Sequence, residues 1–272
     1  MDVAGNGYLL TLSDDEVARY RLMADHARAS EADLWQRAGL VAGARVADVG
    51  CGPGALLSAW AEAVGPAGQV TALDADPQAV ATAGGLIAAH GLRQVTVRQG
   101  RADRTGLPPG SFDVVMLRHV LAHNGGAEDT IVGHLATLLR PGGCLYLVDV
   151  DVTAGRFLPE DADVVDLFDR YAGFHTSLGN DMRAGLRLGE RLARAGLDVI
   201  EFSGRYAITP VPPGMRGPAW AAREALLTAG FATVDDLARW DAAYARLDRA
   251  EPRPTMFMPA FTAIGQRAAA TA

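Results

Sequence analysis

The chain has 272 residues, 49% of them hydrophobic, enough to bury a large core in one elaborated domain or two small ones. Thirty-two acidic residues against 25 basic ones leave a net charge of −7, which excludes a general attraction to nucleic-acid phosphate, and no apolar run approaches the ~20 residues needed to span a bilayer. Every basic residue is arginine, which excludes lysine nucleophiles and Schiff bases, and Cys51 and Cys144 show neither metal-ligand spacing nor a disulfide framework.

The opening Met1-Asp-Val-Ala-Gly-Asn lacks the basic start and apolar centre of a signal peptide, so a cytoplasmic protein is expected. Ser13 followed by Glu16 forms a capping box, which predicts a helix from that point with Arg19 and Tyr20 on its first turns. Val46-Ala-Asp-Val-Gly-Cys-Gly-Pro-Gly54 then reads as a short apolar strand that breaks into Gly50, Gly52 and Gly54 before a helix. Missing side chains let a ligand lie against such a bend. The loose dinucleotide pattern is met by Gly50, Gly52 and Ala55, but Pro53 lacks the N–H that a pyrophosphate would use. A phosphate-free ligand such as S-adenosylmethionine (SAM) would not miss it.

Val70-Thr-Ala-Leu-Asp74 is the next strand, and Asp74 follows Gly54 by 20 residues, at the tip of the neighbouring strand of a βαβ unit. Its carboxylate can accept from both hydroxyls of a ribose, and the spacing suits NAD and SAM alike. Asp76-Pro77 offers a better cap for the following helix. Strands are expected at 45–49, 69–73, 95–99, 112–117, 144–149, 198–202 and 256–264, and their alternation with helices calls for a parallel sheet covered on both faces. Right-handed crossovers place the ligand crevice at the carboxyl ends of these strands. There, Leu117-Arg-His-Val-Leu-Ala-His123 turns toward a helix. His119 begins that turn, as a general base, an acceptor-orienting group or simply a helix-start histidine bonded to backbone. Arg118 pairs either with a cofactor carboxylate or with an aspartate such as Asp48. Farther on, residues 156–182 carry Phe157, Phe168, Tyr171, Phe174 and His175, and residues 210–251 carry Trp220, Phe231, Trp240 and Tyr244. These two insertions are expected to form an acceptor pocket, a few of their rings touching an apolar, aromatic acceptor.

Asp48-Val-Gly-Cys-Gly-Pro-Gly54, Leu73-Asp-Ala-Asp-Pro77, Gly110-Ser-Phe-Asp-Val-Val115, His119-Val-Leu-Ala-His123 and Leu138-Leu-Arg-Pro-Gly-Gly143 occur in the order of one family. The chain resembles the class I SAM-dependent methyltransferases, in particular their bacterial small-molecule, secondary-metabolite branch, across residues 40–150. The resemblance implies a Rossmann-like, doubly wound α/β sheet of seven strands with an antiparallel last strand and helical lid insertions. It also implies SAM as cofactor and S-adenosylhomocysteine (SAH) as product. Asp48, Gly50, Gly52, Gly54, Asp74, Ala75, Arg101, Ala102 and Leu117 are the implied cofactor contacts, and His119 and Tyr20 the candidate catalytic residues. The segment from Tyr8 to Tyr20 resembles the family's lid, with Tyr20 where related chains carry leucine. His123 falls at a structural position. Arg101 departs from the family, which usually has an aspartate there for the adenine amino group. Asp103, the backbone of Ala102 or a stacked Arg101 would have to replace it.

The expected organisation is one domain: a lid over residues 1–40, a SAM-binding core over 41–154, and the remaining strands with substrate-cap insertions over 155–272. The expected activity is methyl transfer to a C, N or O atom of a small aromatic natural product such as an indole or phenol, by a monomer or homodimer without a metal ion. Two alternatives compete with it: an NAD(P)-dependent oxidoreductase, opposed by Pro53, and a methyltransferase fold turned cyclase or SAM-binding module.

Overall fold

The computed structural model describes residues 14–270, with side chains from Arg19 onward. Tyr8, Ser13 and the side chain of Glu16 therefore lie outside the described residues, although a helix, α1 (Asp14–Arg37), does begin at the expected place. Eight strands follow: β1 (Arg45–Val49), β2 (Gln69–Asp74), β3 (Val95–Gln99), β4 (Phe112–Arg118), β5 (Leu139–Val150), β6 (Arg156–Leu158), β7 (Asp198–Pro210) and β8 (Thr255–Gln266). Their order is β3-β2-β1-β4-β5-β8-β6, with β7 along the other side of β8. The first five run parallel, and β8 runs antiparallel to β5, β6 and β7. The expected seven strands thus become eight. The addition, three-residue β6, pairs Arg156 to Leu158 with Phe257 to Thr255 beyond the end of β5, and is too short to leave a pattern in the sequence.

Alternation along the central strands feeds two cores. Val114 and Met116 of β4 point into one cluster with Trp35, Trp60 and Leu57, whereas Val115 and Leu117 join another with Leu135, Leu147 and Leu192. The first face is covered by α1, α2 (Leu57–Val64) and α3 (Pro77–His90), the second by α4 (Glu128–Leu138) and α6 (Leu188–Arg194). This two-sided burial is why the parallel strands read as nearly continuous apolar runs.

The insertions form a helical cap of α5 (Ala162–Ser177), α7 (Pro218–Ala221), α8 (Arg223–Thr228) and α9 (Val234–Arg249). Its aromatic rings pack on one another: Phe174 on Phe231 at 5.3 Å, Trp220 on Tyr244 at 4.5 Å and Phe157 on Phe168 at 5.7 Å. Ion pairs zip α5 to α9, with Arg246 on Asp161 and Asp163, and Arg239 on Asp163 and Asp166. Among the described residues no helix is long and apolar enough to cross a membrane.

Candidate active site

A cavity of about 200 Å³ opens at the carboxyl ends of β1, β2 and β4. Its floor is the bend after β1, where Gly50 and Gly52 adopt φ of +73° and +56°, the left-handed region that L side chains rarely occupy. Cys51 and Gly50 donate their N–H groups to the carbonyl of Leu73, which ties the bend to β2. Asp74, the last residue of β2, continues this tie. One of its carboxylate oxygens accepts from Gly52 N at 2.8 Å and the other from Asp76 N at 2.9 Å. Asp76 in turn caps α3 by accepting from Gln78 N. Each Asp74 oxygen keeps lone-pair capacity toward the cavity. Burial holds its carboxyl above the usual range, against the lowering effect of the Asp76 and Gly52 N–H groups.

The cavity brings together Tyr20, Asp48, Gly50, Gly52, Asp74, Ala75, Arg101, Ala102 and His119 of the residues expected from the sequence. Two others fall elsewhere. Gly54 does not line the cavity; a Cβ there would come 2.9 Å from Leu57 and 3.0 Å from Ala83, so its bareness lets α2 approach α3. Leu117 is buried in the core below the site, and the cavity wall at the end of β4 comes from Arg118 and His119. Arg101 lines the cavity with its guanidinium already paired. It forms a two-pronged pair with Asp103, at 3.0 and 3.1 Å, on the exposed rim.

Asp48 lies at the back, accepting from Trp60 Nε1 at 2.8 Å, and burial pushes its carboxyl up to about 6 against the opposing pull of Trp60 and Arg118. Arg118 itself pairs with Glu31 of α1, rather than with Asp48. Glu31 also accepts from Tyr146 Oη at 2.8 Å and Trp35 Nε1 at 3.3 Å and pairs with Arg205 at 2.8 Å. Burial alone would raise its carboxyl; Arg118, Tyr146 and Arg205 together hold it below the usual value. Sequence reading missed Glu31. The one available signal was an acidic residue four positions before Trp35 in an otherwise polar helix, the spacing that places both on one face.

His119 is the only non-glycine residue with positive φ among the described residues, at 55°, and its N–H donates to Val148 O at 2.8 Å. A side chain held in this region stores roughly 1–3 kcal/mol of strain and marks a position where the neighbourhood overrides local preference. Burial, then the Arg118 charge, pushes its imidazole down to about 3. His123, in the short 3-10 turn Leu121–His123, also lines the cavity; burial and the neighbouring His175 push it down to about 4. Both rings are neutral at physiological pH. Replacing His119 by glycine is expected to give a protein about 1 kcal/mol more stable than replacing it by alanine, since only glycine relieves the backbone. Paired denaturant titrations measure the difference; equal midpoints would mean that no strain is stored there.

The cap does not supply the walls expected of it. Tyr171, Phe174, His175, Trp240 and Tyr244 are buried in the core, and none lines the cavity. The rest of the cavity is lined by Tyr20, Met23 and Ala24 of α1, and by Val120, Asn124, Ala127 and Ile131.

Residues 46–143 match the family described as "Methyltransferase domain". Over these residues the chain carries a methyltransferase domain. Outside that stretch the likeness is to fold. A putative methyltransferase from Bacillus halodurans superposes with a TM-score of 0.58 at 20% identity, covering 88% of this chain and 99% of its own. Two curated relatives match part of the chain: a ubiquinone biosynthesis O-methyltransferase of Xanthomonas campestris pv. campestris, 40% identical over 116 residues, and a nocamycin O-methyltransferase of Saccharothrix syringae, 42% identical over 106. The matches cover 42% and 39% of this chain, and 46% and 37% of those proteins, so the chain spans less than half the length of the curated relatives it matches.

The methyltransferase domain's cavity suits the family's cofactor. The carboxylates of Asp48, Asp74, Asp76 and Asp103 line it, while its two arginines, Arg101 and Arg118, are already paired with Asp103 and Glu31. Such a lining repels a pyrophosphate and favours a sulfonium cation. Pro53 faces the same space without an N–H to offer.

Proposed function

We propose that this protein transfers a methyl group from SAM to the hydroxyl oxygen of a small, largely apolar and aromatic acceptor. The observation that carries the reading is the Gly50–Gly52 bend tied to Asp74, opening onto a cavity lined by carboxylates. Oxygen is favoured over nitrogen or carbon because both curated relatives are named O-methyltransferases. Asp74 would hold the ribose diol, Ala75 and Ala102 would flank the adenine, and Asp48 would face the methionine portion. The bound sulfonium supplies an already activated methyl group. The protein's task is then alignment and exclusion of water.

His119 fits the acceptor-orienting role. An imidazole with a pKa near 3 is a poor base toward a resting hydroxyl, yet it accepts a hydrogen bond from one. As the oxygen gains its methyl group it becomes strongly acidic, and even a weak base then takes its proton before passing it to water. Tyr20 stands over the bend, its ring 3.3 Å from where a Cβ on Gly52 would be, and closes that side of the cavity. Met23, Val120 and Ile131 give the acceptor an apolar wall.

Incubation of small hydroxylated aromatics with isotopically labelled SAM, read by mass, tests the reading. The expected product is an O-methyl derivative, and calorimetry is expected to show SAH binding and no NAD(P) binding. A dinucleotide that displaces SAH would overturn the assignment. His119→Ala is expected to lower kcat by about tenfold to a hundredfold with SAH affinity within about twofold. Wild-type kcat should show no inflection from His119 between pH 5 and 8, because the ring is neutral throughout that window. An inflection near pH 6.5 that vanishes in His119→Ala would show instead a titrating base.

A further inference from the structure

We propose that Asn180 is a positioning residue for methyl transfer: with Gly125 it clamps the turn bearing His119 and His123 to the end of α5, and so fixes where the His123 ring stands in the cavity. The proposal rests on reading that cavity as the place where cofactor and acceptor meet.

Asn180 is buried, and its hydrogen bonds run in two directions. Its side-chain oxygen accepts from Gly125 N at 3.0 Å, beyond the histidine-bearing turn. Because a backbone N–H can only donate, that contact settles the orientation of the amide, and the NH₂ group faces His175 Nδ1 at 3.0 Å. His175 must therefore present a lone pair at Nδ1 and carry its proton on Nε2. Its ring, 1% exposed, stands edge-on to Tyr171 at 4.5 Å and to His123 at 5.1 Å. The position of the His123 ring is thus set through His175, which Asn180 locks into one tautomer.

The backbones make the same junction. A Cβ on Gly125 would lie 1.8 Å from Gly179 O, 2.3 Å from its carbonyl carbon and 2.7 Å from Asn180 N. Two chain segments touch here with no space for a side chain, and their partners are backbone atoms that cannot swing away. The turn has a separate anchor, since Asp149 accepts from Ala122 N. Among the described residues Asn180 makes no hydrogen bond to the glycine bend or to Asp74, so its loss leaves those contacts in place.

Two variants test the proposal, with the full chain and SAH as the probe. In Asn180→Ala, the Gly125 amide is expected to exchange at least about tenfold faster, and the His123 titration followed by NMR to rise as its surroundings loosen. SAH affinity is expected to stay within twofold, and kcat on the acceptor found by screening to fall about tenfold, the effect of a misplaced wall rather than a lost cofactor contact. Asn180→Asp keeps an acceptor for Gly125 but cannot donate to Nδ1. It is expected to preserve slow exchange at Gly125 while His175 moves its proton to Nδ1, visible in the imidazole nitrogen shifts. An unchanged His123 titration in Asn180→Ala despite fast Gly125 exchange would overturn the proposal. So would SAH affinity falling in step with kcat. Should wild-type protein methylate no acceptor, the reading of the site fails, but the His123 titration still decides whether Asn180 places that ring.

Discussion

Replacing Glu31 by leucine is expected to destabilise the fold by about 3–5 kcal/mol, the largest loss of any single substitution considered for this protein. Glu31 is 3% exposed, and one carboxylate there serves Arg118, Arg205, Tyr146 and Trp35. Leucine fills similar space yet leaves the Arg118 guanidinium, whose side chain is only 10% exposed, without its counter-charge. The cost comes from that stranded cation more than from the lost attraction. Arg205, at 30% exposure, can turn to solvent and contributes less. For a chain of this size the loss corresponds to a fall in Tm of roughly 10 °C, measurable by calorimetry.

Two controls separate this explanation from simple loss of packing. Removing both charges, as in Glu31→Leu with Arg118→Met, is expected to recover most of the stability, since an apolar pair of similar volume replaces an ion pair at little net cost. The pH dependence has a definite sign. Glu31 is held below its unfolded value of 4.5, so its contribution is complete above that pH and is lost as pH falls through the folded value. The gap between wild type and Glu31→Leu should therefore narrow in acid. A single variant within about 0.5 kcal/mol of wild type at pH 7 would show that α1 does not depend on this carboxylate.

How much of this could be read in advance depended on whether a position was governed by local pattern or by tertiary neighbours. The parallel strands were legible because burial on both faces makes each an apolar run, and β1 and β3 have the expected limits. β7 was expected over 198–202 but extends to Pro210. It pairs with β8 along its length and is exposed at most positions, so its sequence mixes polar and apolar residues without a clean period and lacks the signature of a buried strand. The glycine bend and Asp74 were recognisable because a run of spaced glycines after an apolar strand and a carboxylate at the tip of the next strand are local patterns. Glu31 and Asn180 carried no comparable mark, because their partners, Arg118, Tyr146 and Arg205 for the one and Gly125 for the other, lie far along the chain. The cap aromatics misled for a related reason: ring content signals apolar packing equally well in a ligand cage and in a core, and here the rings found one another.

Asp74→Ala is expected to weaken SAH binding by about 2–3 kcal/mol, roughly 30- to 150-fold, the scale of charged hydrogen bonds to a diol. Part of that loss will come from the protein itself. Asp74 accepts from Gly52 N and Asp76 N, so truncation also loosens the bend on which the ligand lies. A drop in affinity alone cannot tell a ribose contact from a collapsed floor, but a cycle combining the mutation with a ligand lacking one ribose hydroxyl can. If the carboxylate grips the diol, wild-type protein loses about tenfold in affinity for 3′-deoxy SAH, whereas Asp74→Ala binds both ligands almost equally. Burial raises the Asp74 carboxyl, so its ionised form is lost earlier in acid than that of a solvent-exposed aspartate, and the wild-type preference for the intact ribose should fade as pH falls. Equal discrimination between the two ligands in wild type and variant, at calorimetric precision, would leave Asp74 as the anchor of the glycine bend and give the ribose to another group.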